Sequence, residues 1–243
     1  MSSLTLNPAA PSASAHVVDL ADQGVRALNA ALHALAPDTN DTLWQVLNPR
    51  GLHAIAAGVD APVTIEVDGP VGYYCGGMNK QAAIRVNGNA GVGLGENIMS
   101  GRIHVTGDAS QAVGATGNGG LIIVDGNASA RCGISMKGVD IVVKGSIGHM
   151  SAFMAQAGSL VVLGDAGEAL GDSLYEAKLF VRGSVASLGA DCVEKEMRDE
   201  HRALLAEKLK AAGILGEVDI SAFRRYGSAR SLYHFHVDNV SSY

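Results

Sequence analysis

Residues 122–126 read Ile-Ile-Val-Asp-Gly; the phrase returns at 141–145 as Ile-Val-Val-Lys-Gly and, at the same interval again, at 160–164 as Leu-Val-Val-Leu-Gly. Carried in both directions, that interval places seven glycines on one ruler without an insertion: Gly69, Gly88, Gly107, Gly126, Gly145, Gly164 and Gly183. Two residues before each stands a valine (Val67, Val86, Val105, Val124, Val143, Val162, Val181), and four before stands Ile or Leu (Ile65, Ile84, Ile103, Ile122, Ile141, Leu160, Leu179). A period this strict means stacked copies of one structural unit.

Aligned on the glycines, each column has a physical role. The apolar columns alternate with polar ones, the period of a β-strand with one buried face. The glycine is expected to supply positive φ at a corner, and the next residue is a turn former in every coil: Pro70, Asn89, Asp108, Asn127, Ser146, Asp165 and Ser184. Two positions after the glycine the chain turns inward with Val71, Ala90, Ala109, Ala128, Ile147, Ala166 and Val185. Seven positions after it, Gly76, Gly95, Gly114, Gly133, Ala152, Gly171 and Ala190 mark a second bend, and Ile98, Met136, Ala155, Leu174 and Val193 form a third apolar column. Equivalent strands should stack in parallel, and the handedness of parallel crossovers makes the solenoid right-handed. The fold class read from the chain is all-β, a right-handed parallel β-helix of about seven 19-residue coils with flanking N- and C-terminal helices.

The outward column between the buried strand residues runs Glu66, Arg85, His104, then Ile123, Val142, Val161, Phe180. Its polar half faces water, whereas its apolar half needs a cover. Residues 194–212, with Met197, His201, Leu204, Leu205, Lys208, Leu209 and Ala212 at helical spacing, are the local candidate, and a partner subunit is the other. Residues 18–35 read as a helix with Leu28, Leu32 and Leu35 on one side, able to close the first coil. The organisation is therefore 1–50 as a lead-in, disordered at its start, and capping helix, 51–193 as the β-helix, and 194–243 as an amphipathic helix followed by an extended arm.

Net charge is −6 with a pI near 5.7, and no Lys/Arg block could neutralise a run of phosphates, so nucleic acid is not an expected partner. Residues 1–15 lack the basic start of a signal peptide and no apolar run could span a bilayer; the expected location is cytoplasmic. The cysteines number three. Cys75 and Cys132 share a register three coils apart, roughly 14 Å at the strand spacing, and read as buried thiols that neither bridge nor share a metal.

Chemistry is sparse. The 24 acids are dispersed, many beside a repeat glycine (Asp68, Asp108, Asp125, Asp165), where turn formation accounts for them. His234, His236 and Asp238 would share one face of a strand and could hold a metal, though a solvated or interface strand also accounts for them; His104 and His149 fall in different columns. Gly91, Gly93 and Gly95 imitate a dinucleotide loop, but no helix follows and the repeat explains the outer two. Arg224, Arg225 and Arg230 with Tyr226 and Tyr233 form the most partner-like cluster. No catalytic, cofactor-binding or metal-binding residue is assigned.

Within the coils the glycines follow Gly-x-x-Gly-x-x-x-Gly, as at Gly69/Gly72/Gly76, Gly88/Gly91/Gly95 and Gly164/Gly167/Gly171, with Ser110, Ser129, Ala152 and Ala190 as substitutes elsewhere. This resembles the C-terminal glycine-repeat (GXGXG) domain of glutamate synthase. Residues 72–80 (GYYCGGMNK), 132–138 (CGISMKG), 145–153 (GSIGHMSAF) and 226–230 (YGSAR) are similar to its stand-alone form, the β-helix subunit of N-methylglutamate synthase. The resemblance covers residues 26 to 243. It implies a complex making N-methylglutamate and ammonia from glutamate and methylamine, with an amidotransferase-like partner and another carrying FMN and an iron-sulfur cluster, joined by this non-catalytic chain. The β-helix subunits of formylmethanofuran dehydrogenase and of its formyltransferase-hydrolase relatives share the repeat and form the second reading. A stand-alone solenoid enzyme is a third.

Overall fold

A computed structural model describes residues 15–39 and 42–229. Most of the expected lead-in, together with Arg230, Tyr233, His234, His236 and Asp238, lies outside the described residues. The chain folds as a parallel β-solenoid. In chain order its strands are β1 (His16–Asp19), β2 (Leu43–Leu47), β3 (Thr64–Asp68), β4 (Ala83–Val86), β5 (Arg102–Val105), β6 (Leu121–Val124), β7 (Lys137–Val143), β8 (Ala157–Val162), β9 (Lys178–Val181), β10 (Cys192–Lys195) and β11 (Arg224–Ser228). Helix α1 spans Gly24–His33 and α2 spans Asp199–Ala211.

These strands form one sheet in the order β1 to β9, then β11 and β10. From β3 to β9 the pairing is parallel and follows the repeat, so that Ile65, Ile84, Ile103, Ile122, Ile141, Leu160 and Leu179 stack in one row and the valines in another. These rows are fully buried or nearly so. They also run further back than the glycine count reaches, through Trp44 and Val46 of β2, and Val46 pairs with Val18 of β1.

The repeat glycine is required for a different reason from the one expected. Only Gly69 has positive φ (+136°); the other six lie outside the left-handed region. What excludes a side chain is the neighbouring coil. The amide of Gly126 donates to the carbonyl of Gly107 (3.0 Å), as each later glycine does to the one before. A Cβ on Gly126 would sit 2.9 Å from the Gly107 carbonyl carbon and collide with Oδ1 of Asp108. That oxygen has a use: it accepts the Asn127 amide at 2.7 Å. The same backbone-to-side-chain bond recurs from Asp108 to Asn89, Ser146 to Asn127, Asp165 to Ser146 and Ser184 to Asp165, so the turn formers clamp consecutive coils together. Asp108 and Asp165 are thus turn residues, as read from the sequence.

The second wall also differs from expectation, because it is built of turns rather than strands. Its inward column makes only single parallel bridges, Val71 to Ala90 and onward to Val185. Beyond it, alternate residues are left-handed: Tyr74, Gly76 and Met78 in one coil, Arg131, Gly133 and Ser135 in another. The amides at these positions point alternately up and down the stack, with Tyr74 donating to Val92 (2.9 Å) and Gly76 to Ile55 (3.0 Å), while Gly77 closes a turn onto Tyr74 (3.2 Å). Positive φ at the third position of such a turn is the type II requirement, and glycine meets it without strain. At Gly114 (φ +63°) space adds a second restriction, since a Cβ would meet Ile141 Cδ1 at 2.7 Å. Ala152 accepts the same conformation (φ +56°) as a non-glycine.

The ends depart from the sequence reading in three places. Helix α1 starts at Gly24 rather than residue 18, because Val18 is held in the sheet by Val46. Helix α2 starts at Asp199 rather than residue 194, since Cys192–Lys195 leave the coil to pair with β11; this exposes Val193, which the repeat placed in a core column. The segment read as an arm is, over Arg224–Ser228, a strand antiparallel to both β9 and β10.

Candidate interaction surface

The outward face of the sheet changes character between β5 and β6, and α2 decides where. Ile123, Val142, Val161 and Phe180 are completely buried, packed with Leu205 and Leu209 of α2 and with Ile214 and Phe223 beyond it. The helix is therefore the cover of the apolar stripe. Lys208 bonds Asp140 across the seam at 2.8 Å, and Arg102 of β5 donates to the Ala211 carbonyl at 2.8 Å, meeting the negative end of the helix dipole.

Past that seam the uncovered outward residues form one hydrogen-bonded chain. Gln45 and Asn87 donate to the two oxygens of Asp68 (3.0 and 2.9 Å), Arg85 Nε donates to Asn87 (3.0 Å), and Arg85 Nη1 donates to His104 Nδ1 (2.9 Å). With that nitrogen an acceptor, the imidazole proton sits on Nε2 and is donated to Asp125 Oδ2 at 3.0 Å; Lys144 lies 2.7 Å from the other oxygen. Burial, reinforced by Arg85 and Arg102 and only partly opposed by Asp125, holds His104 below the usual histidine value. Burial opposes the charge on Asp125 too, but the Lys144 and His104 hydrogen bonds outweigh it and keep the carboxyl below its ordinary range. Neutral His104 and ionised Asp125 are consistent states. Both imidazole nitrogens are occupied, so this is a wall of satisfied polar groups rather than a base poised for chemistry.

The other sequence candidates separate. His149 is exposed and in another column. Tyr226 is buried in the core, Arg224 donates to the Gly183 carbonyl (3.0 Å) and Arg225 to the Glu196 carbonyl (3.0 Å), so the described part of the Arg/Tyr cluster is tied into the C-terminal closure. Cys75 and Cys132 are buried free thiols, each pushed up to about 12 by burial, and Cys192 is raised to about 11 for the same reason. Among the described residues no group of His, Cys, Asp and Glu is placed to hold a metal ion, and no helix is long and apolar enough to cross a membrane.

What the sequence reading missed is the outside of the turn wall. Tyr73 and Tyr74 are each 49% exposed, Met78 55% and Met99 47%, all on the first two repeat coils. His53 stacks on Tyr73 with centroids 4.5 Å apart, the Tyr73 amide donates to His53 Nδ1 (2.9 Å), and Tyr74 meets Tyr73 edge-on at 6.5 Å. The Tyr74 ring lies over Gly93, where a Cβ would meet it at 2.7 Å. The rings are thus held rigid while presenting apolar surface, the combination enriched in interface cores. The signal was present in the sequence, since a chain with only 5% aromatic residues puts two tyrosines side by side at a turn.

No protein-family model matches the chain. Protein GlxC of Rhizobium meliloti (strain 1021) is 61% identical over 227 residues, covering 93% of this chain and 99% of that protein. Among solved structures, a chain of the formyltransferase/hydrolase complex (FhcABCD) from Methylorubrum extorquens, in complex with methylofuran, aligns with a TM-score of 0.52 at 26% identity, over 70% of this chain and 75% of its own.

Proposed function

This chain belongs to the GlxC family, and we propose that it is the non-catalytic β-helix subunit of a glutamate synthase-like complex. The observation that carries the reading is the rigid, exposed Tyr73/Tyr74/Met78/Met99 surface, together with a polar wall in which Arg85, His104 and Asp125 are engaged with one another. Such a molecule is built to be held against something rather than to turn over a substrate. The complex we assign is N-methylglutamate synthase, converting glutamate and methylamine into N-methylglutamate and ammonia. Its amidotransferase-like subunit and its FMN- and iron-sulfur-carrying subunit would flank this chain, supported by the similarity of residues 72–80, 132–138, 145–153 and 226–230 to that complex's β-helix. The first of these segments is the one that displays Tyr73, Tyr74 and Met78.

A second reading, the β-helix subunit of a formyltransferase-hydrolase complex, is favoured by the structural neighbour. Co-expression of the tagged chain with the products of its adjacent genes separates the two. Recovery of amidotransferase-like and flavin-binding chains, with N-methylglutamate formed only by the assembly, supports the first. Recovery of formyl-transfer chains supports the second. A chain that purifies alone, or that turns over substrate by itself, overturns both. Within a recovered complex, Tyr73→Ala/Tyr74→Ala should release a partner while leaving the melting temperature of the isolated chain almost unchanged.

A further inference from the structure

The turn wall carries the same kind of surface twice. Its outer columns keep one backbone setting from coil to coil: Tyr74, Gly93, Arg131 and Met150 are all left-handed, as are Met78, Thr116, Ser135 and Met154. The second column is also tied through its amides, from Met78 onto the Glu96 carbonyl (2.8 Å) to Met154 onto that of Asp172 (2.9 Å). Equivalent side chains therefore leave the wall in the same direction. Four coils on from Tyr73, Tyr74, Met78 and Met99 stand, in the same columns, His149, Met150, Met154 and Tyr175. Met154 is 42% and Tyr175 40% exposed, His149 is exposed and Met150 half-buried. Between the two footprints the same columns turn polar, through Gln111, Thr116 and Asn118 and then Arg131, Ser135 and Lys137. Arg131 and Lys137 are exposed, and neither is ion-paired among the described residues.

We propose that a single partner subunit bridges the two footprints, with an apolar anchor on each and acidic side chains against the Arg131/Lys137 strip between them. The spacing carries the choice of one body. Four coils at the strand separation amount to about 19 Å, whereas even a small folded domain is about 30 Å across, so two separate domains centred on the two footprints would collide. The charge carries the choice of partner. Arg131 and Lys137 lie on the fourth repeat coil, close to midway between the footprints, so a second copy docked symmetrically would set its own pair against them and oppose like charges. A subunit with an acidic strip between two apolar anchors meets both demands, with methionine and aromatic side chains at the core of each contact. The proposal deepens the reading of the chain as a subunit held in a complex and rests on it, but not on which complex that is.

Hydroxyl-radical footprinting tests it without any substitution, because exposed methionine is readily oxidised and each footprint has its own. The full chain is compared alone and in binary complexes with each subunit recovered by co-expression with the adjacent genes. One of those subunits should by itself protect Met78 and Met154 together, each by at least about fivefold. Met154→Ala/Tyr175→Ala should then weaken that same subunit's binding at least about tenfold, as Tyr73→Ala/Tyr74→Ala does, with the melting temperature of the isolated chain within about 2 °C of the wild type. Arg131→Glu/Lys137→Glu should weaken it further as salt is lowered, the reverse of the wild-type dependence. Protection of only one footprint, or of each by a different subunit, overturns the bridge while leaving the assigned complex standing. Formyl-transfer subunits that protect both would do the opposite, overturning the assigned complex and sustaining the bridge. Recovery of no subunit, or protection that rises with the concentration of the chain alone, overturns the bridge as well.

Discussion

Replacing Gly126 by alanine adds one methyl group where the structure leaves no room for it. The Cβ would stand 2.9 Å from the carbonyl carbon and oxygen of Gly107, atoms of a backbone held by hydrogen bonds in both directions. Overpacking against an unyielding neighbour costs about 1–3 kcal/mol. The same Cβ displaces Asp108 Oδ1 from the Asn127 amide, a further loss of about 1 kcal/mol. The sum, about 2–4 kcal/mol, lowers the melting temperature of a chain this size by about 5–15 °C. Calorimetry or circular dichroism against Gly216→Ala measures it, because nothing lies within 4 Å of a Cβ at Gly216 and that control should melt like the wild type. Gly126→Asn discriminates the cause. Asparagine tolerates left-handed backbone, so a glycine needed for its φ would accept it, as Gly213 should (φ +79°, open space); a glycine needed for its emptiness would not. A Gly126→Ala protein that melts with the Gly216→Ala control, or a Gly126→Asn protein more stable than Gly126→Ala, would refute the stacked-carbonyl explanation.

Exchanging outward residues across the seam should cost unequally. Ile123→His buries an imidazole among Leu205, Leu209 and Phe223 and should cost at least about 2 kcal/mol in urea unfolding, whereas His104→Ile leaves Asp125 paired with Lys144 and should cost about 1 kcal/mol; equal costs would contradict the role given to α2. Stability should also fall with acidity. His104 and His201 are both held below the ordinary value of 6.5, chiefly by burial, so the unfolded chain takes up their protons first. Their contribution is present above the ordinary histidine value of about 6.5 and is lost as pH falls below it towards the native values, so a decline on that side should flatten in His104→Asn/His201→Asn; an unchanged slope would assign the decline to other groups. Finally, with thiols near 12, Cys75 and Cys132 present only about 10⁻⁴ thiolate at pH 8, and neither should react with a thiol reagent until the protein is denatured; rapid native labelling would place them outside the core.

The solenoid was legible because its hydrogen bonding repeats. Every coil from β3 to β9 must match its neighbour in register, so the Ile, Val and Gly rows recur at one spacing. Where the spacing changes, the rows vanish from view although they persist in space. Val46 pairs with Val67 and Val18 with Val46, two separations that differ from each other and from that of the later coils, so no fixed count finds β1 and β2. Strand β11 is invisible for another reason: it runs antiparallel, and its signature, Arg-Arg-Tyr-Gly-Ser, carries side chains that serve carbonyls of the last coils rather than a repeat. The polar wall was legible only in part: Arg85 with His104 and Asn87 with Asp68 lie one coil apart in shared columns, whereas His104 and Asp125, 21 residues apart, pair diagonally, and a search along columns compares only equivalent positions of successive coils.

The outward column shows how such a chain signals its contacts. Its residues share one backbone setting from Glu66 to Phe180, so their polarity reports what lies outside and not what the strand requires. Glu66, Arg85 and His104 face water; Ile123 to Phe180 face α2. By the same logic Leu188 is written for burial in a place the described residues leave open, and Tyr73, Tyr74 and Met78 are apolar where no part of the described chain covers them. The tyrosines sit on the first repeat coil, and it is there that the subunit contact proposed above would fall.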